Sequence, residues 1–303
     1  MLKSLYSGVS GMKSLQTKMD VVSNNIANVN TVGFKAGRVR FQDIMSQTEA
    51  NAQGPNDFGL GGMNARQVGL GVKVGAIDTM TGIGAPQTTG RNLDFALDNK
   101  GYFILRSSNT DETSYYTRDG SFSLDADGTL VTANGFKVMS RGTATGQPVL
   151  YDANFDLATS MATNGQLVPT QIQQTIPDPN NAGQTINLVN YSIDSTGLVT
   201  GKYSNDETYV LGQVQIATFA NAEGLEKTGN NNYVATNNSG EANVIVPGTD
   251  GSGKMIQGAL EGSNVDLANE FTEMIIASRA YQANSRSITT SDEMLQELIN
   301  LKR

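Results

Sequence analysis

Residues 23–35 read SNNIANVNTVGFK, and this stretch, together with the pattern before it, decides the fold. Asparagine propagates helices poorly and its amide both donates and accepts hydrogen bonds, so the asparagines between positions 24 and 30 indicate a helix end rich in polar contacts. Upstream, apolar residues recur at steps of three and four: Leu5, Val9, Met12, Leu15, Met19, Val22, Ile26 and Val29. Such spacing lines one narrow side of an α-helix. The sequence therefore predicts an N-terminal helix, which Gly33 can terminate.

The far end of the chain has the same spacing. Its apolar and small residues fall at Leu267, Phe271, Met274, Ser278, Tyr281, Ser285, Ile288 and Leu295. We expect Asn264 or Asp266 to cap a second helix, with Lys302 and Arg303 at its end. Gly8 costs about 1 kcal/mol relative to alanine in a helix, as does Gly11, so the N-terminal helix should be weak alone. The two helices are predicted to pair as an antiparallel, coiled-coil-like hairpin.

Two interpretations of these stripes are open: they pack on the protein's own core, or they also cover neighbouring copies. Their position at both extremes, with no helical pattern between them, favours self-assembly through the ends. The predicted assembly interface consists of Leu5, Val9, Met12, Met19, Asn24, Asn25, Ile26, Asn28, Val29, Asn30, Gly33, Phe34, Leu267, Phe271, Met274, Tyr281, Ile288 and Leu295.

The middle of the chain reads as strands and turns. Residues 37–70 are glycine-rich and predict an extended arm or linker. Residues 122–131 predict a hairpin, because Asp127-Gly128 separates two alternating apolar runs. The predicted fold class is α+β and multi-domain: a helical domain from 1–36 with 264–303, a β domain from 71–142 with 212–263, and a small inserted β domain at 143–211.

Composition excludes several functions. The 303 residues contain no His, Cys or Trp, which removes the usual nucleophile triads and zinc sites. The net charge of -8 argues against nucleic acid or an anionic membrane as the main partner. Asp119, Asp125 and Asp127 lack the later glutamate of a calcium loop and fit turns better. We therefore expect no catalytic residue, cofactor or metal; a secreted carbohydrate-active enzyme, using carboxylate pairs such as Glu270 with Glu273, is a remote alternative.

The segments MLKSLYSGVSGM at 1–12 and NNIANVNTVGFK at 24–35 closely resemble the bacterial flagellar rod and hook family. GALEGSNVDL at 258–267 and RAYQANSR at 279–286 are similar to the family's C-terminal region. TTGRNLD, GYF and TRDGSF, which begin at 88, 101 and 117, are similar to its β domain. RVRFQD at 38–43 resembles the hook proteins within the family.

This resemblance implies a structural subunit, not an enzyme. The terminal helices would form an inner tube, the β domain a middle shell, and residues 143–211 the outer surface. The implied function is the flagellar hook, a curved tube that transmits torque; the distal rod protein of the basal body is the alternative, and the segment 143–211 favours the hook. The implied partners are copies of itself, rod, hook-cap and hook–filament junction proteins and the flagellar export apparatus. Membrane insertion is not expected, and the N-terminus has no pattern of a cleaved signal peptide. The resemblance implies export by the flagellar secretion system and an extracellular location in the flagellum.

Overall fold

The computed structural model describes residues 2–54, 61–108, 113–143, 147–151, 161, 167–177 and 184–301. The chain divides into two compact units. Unit 1 comprises 1–29, 36–80 and 265–303, and unit 2 comprises 30–35 and 81–264. Two long helices lie in unit 1 and a large sheet lies in unit 2, so the α+β, multi-domain fold class is confirmed.

Unit 1 contains two long helices, α1 (Leu2–Ala27) and α2 (Leu267–Asn300). Asp266 caps α2 as predicted, since its Oδ1 accepts a hydrogen bond of 2.9 Å from the Ala268 amide. The predicted role of Gly33 as helix terminator is wrong: α1 ends at Ala27, and the Asn28 side chain donates to the Asn24 carbonyl at 2.9 Å. The asparagine run itself therefore ends the helix. Positions 302 and 303 lie outside the described residues.

The described residues of unit 1 also include four strands: β1 (Gly37–Asp43), β2 (Ser46–Ala50), β3 (Arg66–Gly69) and β4 (Val72–Thr79). β1 pairs antiparallel with β4, and β2 with β3. Much of the segment predicted as an arm is thus strand, and β4, assigned to the β domain by the sequence, belongs to unit 1. The physical reason is that these exposed pairings need only backbone hydrogen bonds, which composition does not reveal.

In the parts of unit 2 that the structure describes, there are short strands and a 3-10 turn at Ala222–Gly224. The strands are β5 (Pro86–Thr88), β6 (Phe95–Leu97), β7 (Tyr102–Arg106), β8 (Tyr115–Thr117), β9 (Phe122–Leu124), β10 (Leu130–Thr132), β11 (Lys137–Arg141), β12 (Val149–Leu150), β13 (Leu167–Pro169), β14 (Thr175–Pro177), β15 (Thr185–Ile193), β16 (Leu198–Tyr203), β17 (Thr208–Val214), β18 (Ile216–Thr218), β19 (Glu226–Gly229), β20 (Asn232–Val234), β21 (Asn243–Ile245), β22 (Met255–Gln257) and β23 (Ala259–Glu261).

One 15-stranded sheet runs through unit 2 along the path β14-β15-β16-β17-β11-β7-β8-β20-β19. The predicted hairpin is confirmed, because β9 pairs with β10 with Phe122 opposite Thr132. Two late strands return to early ones: β22 pairs with β6 and β23 with β5. The β domain is thereby assembled from segments far apart in the chain.

The segment 143–211 does not form a unit separate from the rest of unit 2. Its strand β13 pairs with β11, and its residues Ile172, Ile193 and Val199 lie in the same buried cluster as Phe103 and Leu105. The predicted boundary at 142/143 therefore crosses a shared core. Pro169 and Pro177 each end a short strand in this segment, while apolar residues such as Ile172, Ile193 and Val199 supply the core. Positions 144–146, 152–160, 162–166 and 178–183 lie outside the described residues.

Candidate assembly interface

The contact between α1 and α2 is made by small residues. Gly8 and Gly11 are buried, and a Cβ at Gly8 would lie 3.0 Å from Ile288 Cγ1. A Cβ at Gly11 would lie 2.8 Å from the amide nitrogen of Asn284. The glycines that weaken the isolated helix therefore allow the two helices to approach closely. The two glycines lower the intrinsic stability of α1 but permit closer packing against α2.

Polar groups fix the position of α1 within unit 1. The Asn25 amide donates to the Gly37 carbonyl at 2.9 Å and to Glu270 at 3.0 Å, and its oxygen accepts from the Gly37 amide at 2.9 Å. Lys18 pairs with Glu273 at 2.5 Å. Partial burial raises the pKa of Glu270, and the bond from Asn25 opposes that rise. Asn25, predicted as an interface residue, thus makes these side-chain hydrogen bonds within the subunit.

The buried side of α1 is offset from its apolar stripe. It follows Gly8, Gly11, Ser14, Val22 and Asn25, about one residue before most of the predicted positions. Since one residue turns a helix by about 100°, the stripe lies at the edge of the contact with α2. Val9, Asn24 and Asn30 are exposed, and the half-buried predicted residues are Leu5, Met12, Met19, Ile26, Asn28 and Val29.

Helix α2 has two apolar sides. The inner side holds Ala277, which is fully buried, and the half-buried Met274, Ile288 and Leu295. A second side, called here the outer apolar stripe, consists of Leu267, Phe271 and Ile275, which are spaced by four residues. Ile276 is also exposed but lies about 100° further round the helix than Ile275. Phe271 is 50% exposed, Ile275 62% and Ile276 54%.

Such a contiguous exposed apolar surface is typical of a protein–protein contact. The predicted set placed Leu267 and Phe271 with the inner residues, whereas the structure separates them, and it leaves Tyr281 exposed. Ile275 and Ile276 were missed. An apolar pair beside the stripe is a sequence signal that could have found them.

The end of the asparagine-rich stretch is docked within unit 2. The Gly33 amide donates to the Glu261 carbonyl at 2.8 Å, and Gly33 adopts a φ of 68°. A Cβ at Gly33 would lie 2.8 Å from the Asp119 amide nitrogen, so a larger residue does not fit. The Lys227 ammonium lies 5.0 Å from the centre of the Phe34 ring and donates to the Lys35 carbonyl at 2.9 Å. Gly33 and Phe34, predicted as interface residues, make contacts within their own chain.

A buried ionic cluster holds this segment. Lys35 Nζ binds Glu261 Oε1 at 2.5 Å and the Gly82 carbonyl at 2.8 Å. Arg118 Nη1 binds the other carboxylate oxygen at 2.9 Å, and the Gly84 amide donates to Oε1 at 3.0 Å. Burial lowers the pKa of Lys35, against the opposing effect of the Glu261 carboxylate. We call the side chains of Lys35, Arg118 and Glu261 the Lys35 cluster.

Sequence reasoning assigned no role to the Lys35 cluster. Each residue nevertheless lies in a stretch that carries the family resemblance, at 24–35, 117–122 and 258–267. The sequence signal was a lysine, an arginine and a glutamate, each in a different segment that resembles the family. Which of them meet could not be known before the fold.

The ionised residues divide unevenly between the units. Unit 1 has equal numbers of acidic and basic residues, so the whole net charge of -8 belongs to unit 2. Copies that approach through unit 1 therefore meet no net electrostatic repulsion. This distribution suits self-association through the terminal helices.

Within the described ranges, no group of three acidic side chains is arranged to hold a metal ion. Asp119 instead accepts hydrogen bonds from the Ser121 amide at 3.0 Å and the Ser121 hydroxyl at 2.6 Å, which is turn chemistry. Neither helix of the described part is both long and apolar enough to cross a membrane.

Three family descriptions match the chain. Residues 5–35 match "Flagella basal body rod protein", 96–201 match "Flagellar hook protein FlgE/F/G D1 domain", and 256–301 match "Flagellar basal body rod FlgEFG protein C-terminal". The basal-body rod protein FlgG of Bacillus subtilis is 45% identical over 304 residues, with 100% of both chains covered. The chain belongs to the flagellar rod and hook family.

Other relatives in this family include both of its branches. The hook protein FlgE of Treponema pallidum is 32% identical over an alignment of 467 residues that covers 100% of each chain. The rod protein FlgG of Caulobacter vibrioides is 37% identical over 305 residues, covering 99% of this chain and 100% of the relative. Membership makes this chain a structural subunit of the flagellar axis, the coarser function that the resemblance implied.

Proposed function

We propose that this chain polymerises into the distal rod of the flagellar basal body, with the terminal helices as its assembly elements. The observation that carries the choice of rod over hook is length. The alignments with the rod relatives are 304 and 305 residues long, nearly the 303 residues of this chain. The alignment with the hook relative is 467 residues long. The hook relative therefore contains long additional segments that this chain lacks.

The segment 143–211, which favoured the hook on sequence grounds, does not support that choice. The D1-domain description extends from 96 to 201 and so includes most of the segment. Its strands also belong to the main sheet of unit 2. The segment is thus part of a domain shared by rod and hook proteins. The hook remains the alternative because similarity to a hook protein covers the whole chain.

The outer apolar stripe supports the assembly half of the proposal. It leaves three large apolar side chains exposed along one side of a helix in a neutral unit, in a chain whose family forms axial structures. Polymer growth would cover that stripe with neighbouring copies. Export by the flagellar apparatus, an uncleaved N-terminus, and contacts with further rod and hook components are parts of the same proposal.

Electron microscopy of basal bodies from a deletion strain tests the rod assignment. A missing rod subunit leaves basal bodies without a complete rod, hook or filament, whereas a missing hook subunit leaves complete rods that lack only the hook. An epitope inserted between Asp250 and Gly251 provides a second test, since a Cβ at Gly251 would meet no atom within 4 Å. Label within the basal body supports the rod, and label on the curved external segment supports the hook.

A further inference from the structure

We propose that the Lys35 cluster is a folding checkpoint that locks residues 30–35 into unit 2 only when Glu261 is in place. The proposal applies equally to a rod or a hook subunit. It concerns two segments of unit 2 that lie 226 positions apart, at Lys35 and Glu261.

The geometry puts one carboxylate between two cations. The side chains of Lys35 and Glu261 are 0% and 1% exposed, and that of Arg118 is 3% exposed. Glu261 gives one oxygen to Lys35 and the other to Arg118, so one carboxylate faces both cations and lowers the formal charge of the cluster from +2 to +1. Arg118 also lies over the Tyr102 ring, 5.3 Å from its centre, where water is excluded.

Without the carboxylate, docking of Lys35 would bury two like charges together. An uncompensated buried charge is strongly unfavourable, because the low-dielectric interior does not replace its hydration. Residues 30–35 are therefore expected to stay undocked while Glu261 is absent from its position. Glu261 ends β23, the last strand of unit 2, which pairs with β5. Pairing of β23 with β5 therefore places the Glu261 carboxylate beside Lys35 and Arg118.

The backbone couples the same two segments. The Gly33 amide donates to the Glu261 carbonyl, and the Asn264 amide donates to the Phe34 carbonyl at 3.4 Å. The Asn264 side chain and Lys35 both donate to the Gly82 carbonyl. The N-terminal and C-terminal segments thus share their partners, and each completes the other's hydrogen bonds.

Four full-length variants test the checkpoint: Glu261→Gln, Lys35→Met, the double variant, and Lys202→Met as a control. Glu261→Gln keeps the side chain's size but leaves two buried cations. Lys35→Met leaves the neutral Arg118–Glu261 pair. The double variant leaves one cation. Lys202 forms an exposed pair with Asp206 in the same unit, so the control should not change the measurement.

The measurement is amide hydrogen exchange at residues 30–35, with β15–β17 as the internal reference and the folded fraction from circular dichroism. We expect exchange at 30–35 to be at least tenfold faster in Glu261→Gln, with a smaller increase in Lys35→Met. The decisive result is rescue: the double variant should protect 30–35 better than Glu261→Gln. If Glu261→Gln does not fold, the double variant should regain folded protein. Protection of Glu261→Gln at the wild-type level, or a double variant no better than it, overturns the proposal.

Discussion

Phe271→Asp should abolish polymerisation of the purified subunit while leaving its fold intact. Phe271 is half exposed on the outer apolar stripe, near the start of α2. Phenylalanine and aspartate have similar helix propensities, and a negative charge near a helix N-terminus is favourable. The subunit should therefore lose only the buried half of the ring, about 1 kcal/mol of stability.

The effect on assembly is larger. Covering the exposed half of the Phe271 ring contributes about 1 kcal/mol per contact. Enclosing an unpaired carboxylate at the same place costs roughly 3 kcal/mol. Together they weaken each contact by about 4 kcal/mol, which corresponds to about a thousandfold rise in the critical concentration for polymer growth.

The assay is sedimentation of polymer over a concentration series, with tubes counted by electron microscopy. Thr272→Asp is the matched control, because it adds the same charge at an adjacent position that is already polar and exposed. It should raise the critical concentration far less. Normal tubes from Phe271→Asp at the wild-type concentration would show that the outer apolar stripe is not covered in the polymer.

Three further predictions follow from the described contacts. Gly8→Leu should destabilise unit 1 by about 1–3 kcal/mol in denaturant unfolding, because the new side chain overpacks against Ile288. Adding Ile288→Ala should recover part of the lost stability, and no recovery would contradict the close helix contact. Asn25→Ala should cost about 1–3 kcal/mol by leaving Gly37 and Glu270 without their amide partner, whereas Asn24→Ala, at an exposed position, should cost little. Burial raises the pKa of Tyr203 to about 12 from an ordinary 10.0, and the pKa values of Tyr102, Tyr116 and Tyr233 are also raised. The unfolded chain therefore loses these protons first, so the free energy of unfolding should fall as pH rises above about 10. The fall should be smaller in Tyr203→Phe. Equal slopes of unfolding free energy against pH in the variant and the wild type would contradict this.

The sequence predicted the parts of the fold that have a periodic signal. The three- and four-residue spacing found both helices, Asp266 found the start of α2, and Asp127-Gly128 found the β9–β10 hairpin. The predicted arm at 37–70 differs because β1 is mostly exposed and shows little alternation, so its strand form depends on backbone pairing with β4. The helix end was misplaced because a glycine with positive φ serves a tertiary contact as readily as a helix cap.

The assembly interface stays a prediction, and the sequence alone did not show which side of α1 meets α2. Apolar spacing identified the stripe of α1, yet Gly8 and Gly11 decide which side meets α2, because backbones approach closest where side chains are smallest.

By itself, then, the sequence determined the helices, the wealth of strands, the absence of thiol and imidazole chemistry, and the family. Only the tertiary structure decided that Gly33, Phe34 and Lys35 are internal contacts, and that Phe271 and Ile275 face outward. The physical reason is distance along the chain. Local periodicity records what neighbouring residues do, whereas the meeting of Lys35, Arg118 and Glu261 depends on strand pairings that bring remote segments together.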